Sequence, residues 1–198
     1  MPYLGTQPNN VKQNTGLYTP SEILELTKDG SWGGSLELIQ EQTISSGSTM
    51  AFTSIKETIF DTHFLVASNC ESSSSSTSIS VRLSNDGGSS YEAGTSYQLA
   101  LQYATVAGSF GQVRSTGTSY MEFLSDTANA NRAGYMYLFN LGDNTKFSNT
   151  SYKQMSTNTM SYGGGVYTTA DTINAIQLLT TNTNAWTGTI KLFGIKEI

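Results

Sequence analysis

The chain has little charge and almost no cysteine, histidine or proline. Only 13% of its 198 residues are Asp, Glu, Lys or Arg, and it has one Cys, one His and three Pro. About a quarter of an average globular protein is charged. A single cysteine excludes an internal disulfide, and one His with one Cys cannot complete a zinc site without carboxylates. We therefore expect core burial and assembly to stabilise the fold, with no cofactor or metal, and leave a calcium site as an open alternative.

The few charges exclude several classes of partner. The ten basic residues are scattered along a chain of net charge −5, whereas nucleic-acid binders need clustered Lys and Arg. No apolar run approaches the roughly 18 residues of a membrane-spanning helix. The first residues, MPYLGTQPNN, lack the charged and apolar regions of a signal peptide. We therefore expect no nucleic-acid partner, no membrane insertion and no export by a signal peptide.

What the chain does have is a series of short alternating segments, separated by turns of Ser, Gly and Asn. Apolar and polar residues alternate in these segments with the two-residue period of a half-buried strand. The segments are residues 36–44, 49–55, 59–68, 77–84, 96–105, 119–125, 133–141, 149–155, 174–181 and 188–195. No long helical pattern separates them. We predict an all-β fold, a jelly-roll-like antiparallel β-sandwich.

The N-terminal region follows a different pattern. Residues 1–18 contain Pro2 and Pro8, few apolar residues and no periodicity, which predicts an extended arm. Thr19 and Glu22 then form a capping box around Pro20, which favours a short helix at about residues 20–28. We predict an arm over residues 1–18 and a single sandwich domain over residues 19–198 that carries this helix.

The candidate catalytic residues are isolated. His63 has Asp61 two residues away on the same predicted strand face, but no nucleophile motif accompanies them. Glu41, Glu57, Asp61 and Glu122 could supply a glycosidase pair only where two of them lie roughly 5–10 Å apart. We predict a structural role for His63 and no catalytic residues, and rank a hydrolase of surface polysaccharide last among the alternatives.

One loop has a recognisable turn motif. Residues 84–94, SNDGGSSYEAG, match the pattern of an Asp-box hairpin. Gly87 and Gly88 provide the positive-φ positions of a tight turn, and the Asp86 carboxylate can accept backbone N–H groups. We predict a hairpin turn at Asp86, Gly87 and Gly88, with metal or sugar contact as a lesser alternative.

Tyrosine is abundant in the strand-rich region. Tyrosine combines rigid apolar area with a polar tip, which suits both subunit interfaces and sugar platforms. Packing within the sheet is a sufficient explanation for any single tyrosine, whereas the tyrosines taken together indicate a contact surface. The set comprises Tyr97, Tyr103, Tyr120, Tyr135, Tyr137, Tyr152, Tyr162 and Tyr167.

Several segments resemble one group of proteins. The segments MPYLGTQP, LELIQEQTI, VRLSNDGGSSYEAGTSYQLALQY and GTIKLFGI are similar to virion structural proteins of marine and cyanobacterial tailed bacteriophages, including fibre and capsid-decoration proteins. The resemblance covers the chain from about Ser31 to the C-terminus. It implies a β-sandwich, often trimeric, that coats or projects from the virion after assembly in the host cytoplasm, without an active site or cofactor.

The resemblance also implies an assembly role for the arm. Pro2, Tyr3, Leu4, Gly5 and Pro8 would fasten the subunit to the particle or to a sister subunit. The chain has no fibre shaft, which favours a capsid decoration or cement protein or a short appendage. The alternative is a tail fibre or tail-tip receptor-binding module. The expected partners are copies of the chain in a homotrimer and other capsid or tail proteins, with a host-surface glycan as a further candidate.

Overall fold

The computed structural model describes residues 19–28, 36–74, 77–125 and 131–196. The chain divides into two compact units, Met1–Ser35 and Leu36–Ile198. The predicted arm, with Pro2, Tyr3, Leu4, Gly5 and Pro8, lies outside the described residues. The sandwich unit begins at Leu36, and not at residue 19 as the predicted domain boundary has it.

The first unit contains helix α1, Pro20–Lys28, at the predicted position. Its start is a capping box: the backbone N–H of Thr19 donates to Glu22 Oε2 at 2.7 Å, and the N–H of Glu22 lies 3.3 Å from Thr19 Oγ1. The hydrogen bonds that the backbone N–H and the hydroxyl of Thr19 donate to the Glu22 carboxylate lower the pKa of Glu22. No helix among the described residues is long and apolar enough to span a membrane.

The second unit is built of strands. In order they are β1 Leu36–Gly47, β2 Thr49–Thr53, β3 Thr62–Ser72, β4 Ile79–Ser84, β5 Tyr97–Thr105, β6 Phe110–Thr118, β7 Met121–Leu124, β8 Arg132–Phe139, β9 Phe147–Ser156, β10 Thr159–Ala170, β11 Ala175–Thr180 and β12 Trp186–Ile195. Strand residues make up 63% of the structure and helix 4%. The all-β prediction is confirmed, and β6 and β10 are two strands that the alternation did not predict.

The strands form two antiparallel sheets with jelly-roll connections. The large sheet has the order β1-β12-β3-β8-β9-β10-β5-β6, and the small sheet has the order β2-β11-β4-β7. The pairs β1 with β12, β2 with β11, β3 with β8 and β4 with β7 are nested, so the chain folds as a double ribbon that alternates between the sheets. Two hairpins, β5–β6 and β9–β10, extend the large sheet by four strands.

The core lies between the two sheets. Every second residue of β12, beginning with Trp186 and including Ile190, points inward and is buried, while the residues between them are partly or fully exposed. Leu65 from the large sheet and Phe52 and Ile176 from the small sheet belong to the same cluster. Full burial of such a side chain stabilises the fold by about 1.5–3 kcal/mol. The alternation therefore fixes which face of each strand meets the opposite sheet and which face is outward.

Candidate functional site

The outer face of the large sheet changes character from one side to the other. The register places Leu38 opposite Phe193, Phe193 opposite Phe64, and Phe64 opposite Tyr137. The same row continues from Tyr137 to Ser151 on β9. Along this row, large apolar side chains therefore lie on β1, β12, β3 and β8, and a small side chain, Ser151, lies on β9.

Five rings on β12, β3 and β8 form what we call the aromatic band: Phe64, Tyr135, Tyr137, Phe139 and Phe193. The ring centroids of Phe64 lie 4.7 Å from Tyr137, 5.8 Å from Tyr135 and 6.3 Å from Phe193. Tyr137 stacks on Phe139 at 6.1 Å with an interplanar angle of 17°. Each ring is thus held by another ring, and Tyr135 is still 40% exposed.

The surroundings of the aromatic band are apolar in part, with charge at two borders: Lys191 on β12 and Lys153 on β9, which pairs with Tyr135. Leu36 and Leu38 on β1 are 47% and 49% exposed. The nearest ion pair on this face joins Lys191 Nζ to Glu41 Oε2 at 3.3 Å. From Thr62 to Ser68 on β3 no residue with an outward side chain is charged. The centre of the aromatic band can therefore be covered without removing a charge from water, whereas Lys153 and Lys191 would lie at the rim of such a contact.

Beyond the aromatic band, a shallow depression of about 710 Å³ lies over β9, β10, β5 and β6. We call it the trough. Ala100, Gly164 and Val166 form its floor, and Gln98, Arg114 and Asn149 are among the polar residues that border it. Gly164 is paired with Ala100, which in turn is paired with Arg114. The trough exists because the residues in the centre of this row have little or no side chain.

Three consecutive glycines in β10 make this part of the sheet tight as well as shallow. A Cβ atom on Gly165 would lie 2.9 Å from the carbonyl oxygen of Gln98 and 2.8 Å from Cγ of Met121 on β7. Ordinary carbon contacts are about 3.5–4.0 Å. The run SYGGGVY is not covered by any of the strands predicted from alternation, so sequence reasoning missed β10, the trough and Arg114. The glycine run itself was the available signal, because glycine within a strand often marks a close approach of backbones.

The predicted turn residues Asp86, Gly87 and Gly88 lie in the connection from β4 to β5. Gly87 and Gly88 have φ values of 75° and 88°. Asp86 Oδ1 accepts hydrogen bonds from Ser84 Oγ at 2.7 Å and from the Ser90 backbone N–H at 2.9 Å, and Oδ2 accepts one from Ser90 Oγ at 2.6 Å. The bonds from Ser90, followed by that from Ser84, lower the pKa of Asp86 to about 2. However, the flanking strands β4 and β5 belong to different sheets, so the turn starts a crossing between sheets and the predicted hairpin is wrong.

His63 points into the interior. Its ring is fully buried, its Nε2–H donates to the carbonyl oxygen of Ile55 at 2.8 Å, and its centroid lies 6.2 Å from that of Phe60. Burial lowers the pKa of His63, against the smaller opposing effects of the bond to Ile55 and of the charges on Glu57 and Asp61. The histidine therefore anchors the loop before β3 to the sheet.

The candidate carboxylates are distributed over different elements. Glu41 lies on the large sheet beside Lys191, Glu122 lies on β7 of the small sheet, and Glu57 and Asp61 precede β3. Within the described residues, no three His, Cys, Asp or Glu side chains are close enough together to hold a metal ion.

The predicted tyrosine set divides between the two faces of the large sheet. Tyr97 and Tyr152 are buried in the core cluster. Tyr135 and Tyr137 belong to the aromatic band, and Tyr162, which is 51% exposed, lies next to the trough. The set therefore includes both core residues and residues of an open surface.

Comparison with protein families and with curated proteins gives no match. No protein-family model matches the chain. A search of curated proteins also finds no match. The similarity to phage virion proteins accordingly stays an expectation from the sequence.

Proposed function

We propose that the protein is a non-enzymatic structural subunit of a bacteriophage particle, a capsid decoration or cement protein or a short appendage, and that it assembles with copies of itself through the aromatic band. The resemblance to virion proteins supports the phage assignment. The observation that carries the assembly proposal is the aromatic band itself, five mutually packed rings on an outward sheet face without charged residues among them.

The side chains of the aromatic band are preorganised for binding. Rings that already hold one another lose little side-chain freedom on binding, and this lowers the entropic cost of association. The band and the adjoining part of β1 cover four strands spaced by about 4.8 Å and about five residues of about 3.3 Å along each strand, or roughly 300 Å². A stable interface buries about 800 Å² per partner around an apolar centre. The band is large enough to be that centre, with neighbouring outer-face residues as its rim.

The occupant that fits best is another copy of the same chain. A charged partner would need complementary charges, and the centre of this surface has none. In a closed oligomer every subunit presents the same surfaces, so apolar bands can converge on a symmetry axis. We propose three copies because the virion proteins that the chain resembles are often trimeric. Other capsid or tail proteins would then contact the outside of the trimer.

The assembly is tested by introducing a charge into the aromatic band. We expect the wild-type protein to have three times the chain mass of 21.3 kDa in native mass spectrometry and light scattering. Tyr137→Glu should give monomers, because the register pairs Tyr137 with Phe64 and Ser151, which carry no charge. Its carboxylate would be buried at the interface without a directly paired cation, at a cost of several kcal/mol. Phe110→Glu is the matched control, since Phe110 is 84% exposed and lies at the far end of the sheet.

Far-ultraviolet circular dichroism and the thermal midpoint should show that both variants remain folded. A monomeric wild-type protein at high micromolar concentration would contradict the assembly proposal. So would a Tyr137→Glu protein that keeps the wild-type mass.

The virion assignment has its own test. Purified phage particles that carry the coding sequence should contain this chain, and subunit-resolved imaging gives its location and copy number. Hundreds of copies on the shell would identify a decoration or cement protein, and a few dozen or fewer at the tail would identify an appendage. Complete absence from the particle would refute the assignment without affecting the assembly result.

A further inference from the structure

The half of the large sheet beyond the aromatic band has an unusual charge balance. Across all residues of β9, β10, β5 and β6, the only charged ones are Lys153 and Arg114. Both are positive, although the whole chain has a net charge of −5. Both are exposed on the same outer face as the trough. An anionic ligand bound on these four strands would therefore meet two positive side chains and no carboxylate from the strands themselves.

Arg114 differs from the other two arginines. Arg82 Nε donates to the carbonyl oxygen of Ser119 at 2.8 Å, and the buried Arg132 donates to the carbonyl oxygen of Thr77. Both side chains therefore hold parts of the folded chain together through these hydrogen bonds. Arg114 is exposed at the trough, and no carboxylate in the described ranges lies within ion-pair distance of it. Its guanidinium group is free to bind a planar oxyanion with two parallel hydrogen bonds.

The remaining surface of the trough suits sugar rings. Ala100, Gly164 and Val166 leave a low apolar floor, and the amides of Gln98 and Asn149 border it. Amides can both donate to and accept from hydroxyl groups. The volume of about 710 Å³ falls within the roughly 300–1,000 Å³ of small-molecule sites.

The next row along the strands lengthens this surface. Lys153 is paired with Tyr162, and Tyr162 is paired with Gln102. The hydroxyl of Tyr162 donates to Gln102 Oε1 at 2.5 Å, which orients the exposed ring. Lys153 and Arg114 lie three strand spacings apart across the sheet, or about 14 Å. The two cations therefore suit an extended chain with separated anionic groups better than a single small anion.

We propose that the trough binds an acidic oligosaccharide, with Arg114 holding a sugar carboxylate and the neighbouring amides and Tyr162 contacting the rings. A nucleic acid fits less well, because two cations neutralise too few phosphates for the usual electrostatic attraction. The inference does not rest on self-association, since Arg114 and the floor of the trough lie on β6, β5 and β10. Only Asn149 and Lys153 on β9 adjoin the aromatic band, where they pair with Phe139 and Tyr135.

The test uses the full-length protein on an array of immobilised glycans that includes uronate- and sialate-bearing oligosaccharides and their neutral counterparts. We expect the bound glycans to be carboxylate-bearing. Arg114→Gln should weaken that binding about tenfold or more, the usual effect of losing a charge-assisted hydrogen bond. Lys146→Gln is the control, because it makes the same charge change on a loop outside the trough.

A second variant separates the trough from general charge effects. Ala100→Tyr fills the floor with an outward side chain without changing the charge, and it should also abolish binding. Both variants should keep the wild-type mass, so loss of binding cannot come from loss of assembly. The proposal is overturned by an array without bound acidic glycans, by binding that survives Arg114→Gln, or by equally tight binding of a single-stranded oligonucleotide.

Discussion

Gly194 on β12 is a position at which one added methyl group should have a large local effect. Its inward side faces the ring of Phe60, which is 1% exposed and belongs to the loop between β2 and β3. A Cβ atom at residue 194 would come to 2.5 Å from Phe60 Cε2 and closer still to Cγ and Cδ2. The ring would have to move by about 1 Å to restore an ordinary contact.

The cost of Gly194→Ala follows from that displacement. Overpacking a well-packed core costs about 1–3 kcal/mol, and a Phe60 ring pushed from its site also loses part of the roughly 1.5–3 kcal/mol gained by burial. We expect the free energy of unfolding to fall by about 2–4 kcal/mol. For a chain of this size that corresponds to a thermal midpoint lower by about 5–15 °C.

Urea and thermal unfolding of Gly194→Ala measure this effect directly. Gly117→Ala on β6 is the matched control, because the nearest atom to an added Cβ is Thr95 Cβ at 3.7 Å; its midpoint should change little or rise slightly. The double variant Gly194→Ala with Phe60→Leu should be more stable than the sum of the single effects predicts, by about 1 kcal/mol. A Gly194→Ala protein as stable as the wild type, or strictly additive effects, would refute the reasoning.

Two further predictions concern pH. Because burial lowers the pKa of His63 below its ordinary value of 6.5, its contribution to stability should be complete above pH 6.5 and decrease as the pH falls below it; His63→Gln should flatten this part of a plot of urea midpoint against pH, and an unchanged slope would contradict the assignment. The pKa of Asp86 is lowered from 3.8 to about 2, so its hydrogen bonds to Ser84 and Ser90 should stabilise the loop above pH 4 and be lost towards pH 2. Asp86→Asn should speed proteolytic cleavage of this loop at neutral pH, and cleavage at the wild-type rate would argue against that role.

Much of the fold could be predicted from local pattern. The alternation in IKLFGI of β12 fixes which residues face the core, and the capping box at Thr19 and Glu22 fixes the start of α1. Strand β10 was not predicted from alternation, because its glycines give none; in the structure it is paired along its length with β9 and β5. Tertiary contacts here override a weak local preference.

The candidate site was predictable in part for a related reason. The tyrosines indicated a contact surface, but only sheet pairing decides that Tyr97 is buried and Tyr135 is outward. At the turn, the chemistry of Asp86 and Gly87 was readable, yet those residues do not determine which sheet the next strand joins. The outward position of Arg114 depends on β6 pairing with β5, which no local signal in its segment indicates.

The nested strand pairing also governs how the chain can fold during synthesis. Leu36 at the start of β1 pairs with Ile195 at the end of β12. The first strand of the sandwich therefore cannot form its hydrogen bonds with β12 until β12 has been synthesised. Contacts between residues so far apart in sequence slow folding. Until β12 leaves the ribosome, β1 and β3 expose unpaired edges next to apolar side chains, and such edges promote aggregation. Efficient production of many copies therefore requires conditions that protect nascent chains over this interval, such as low temperature or chaperones.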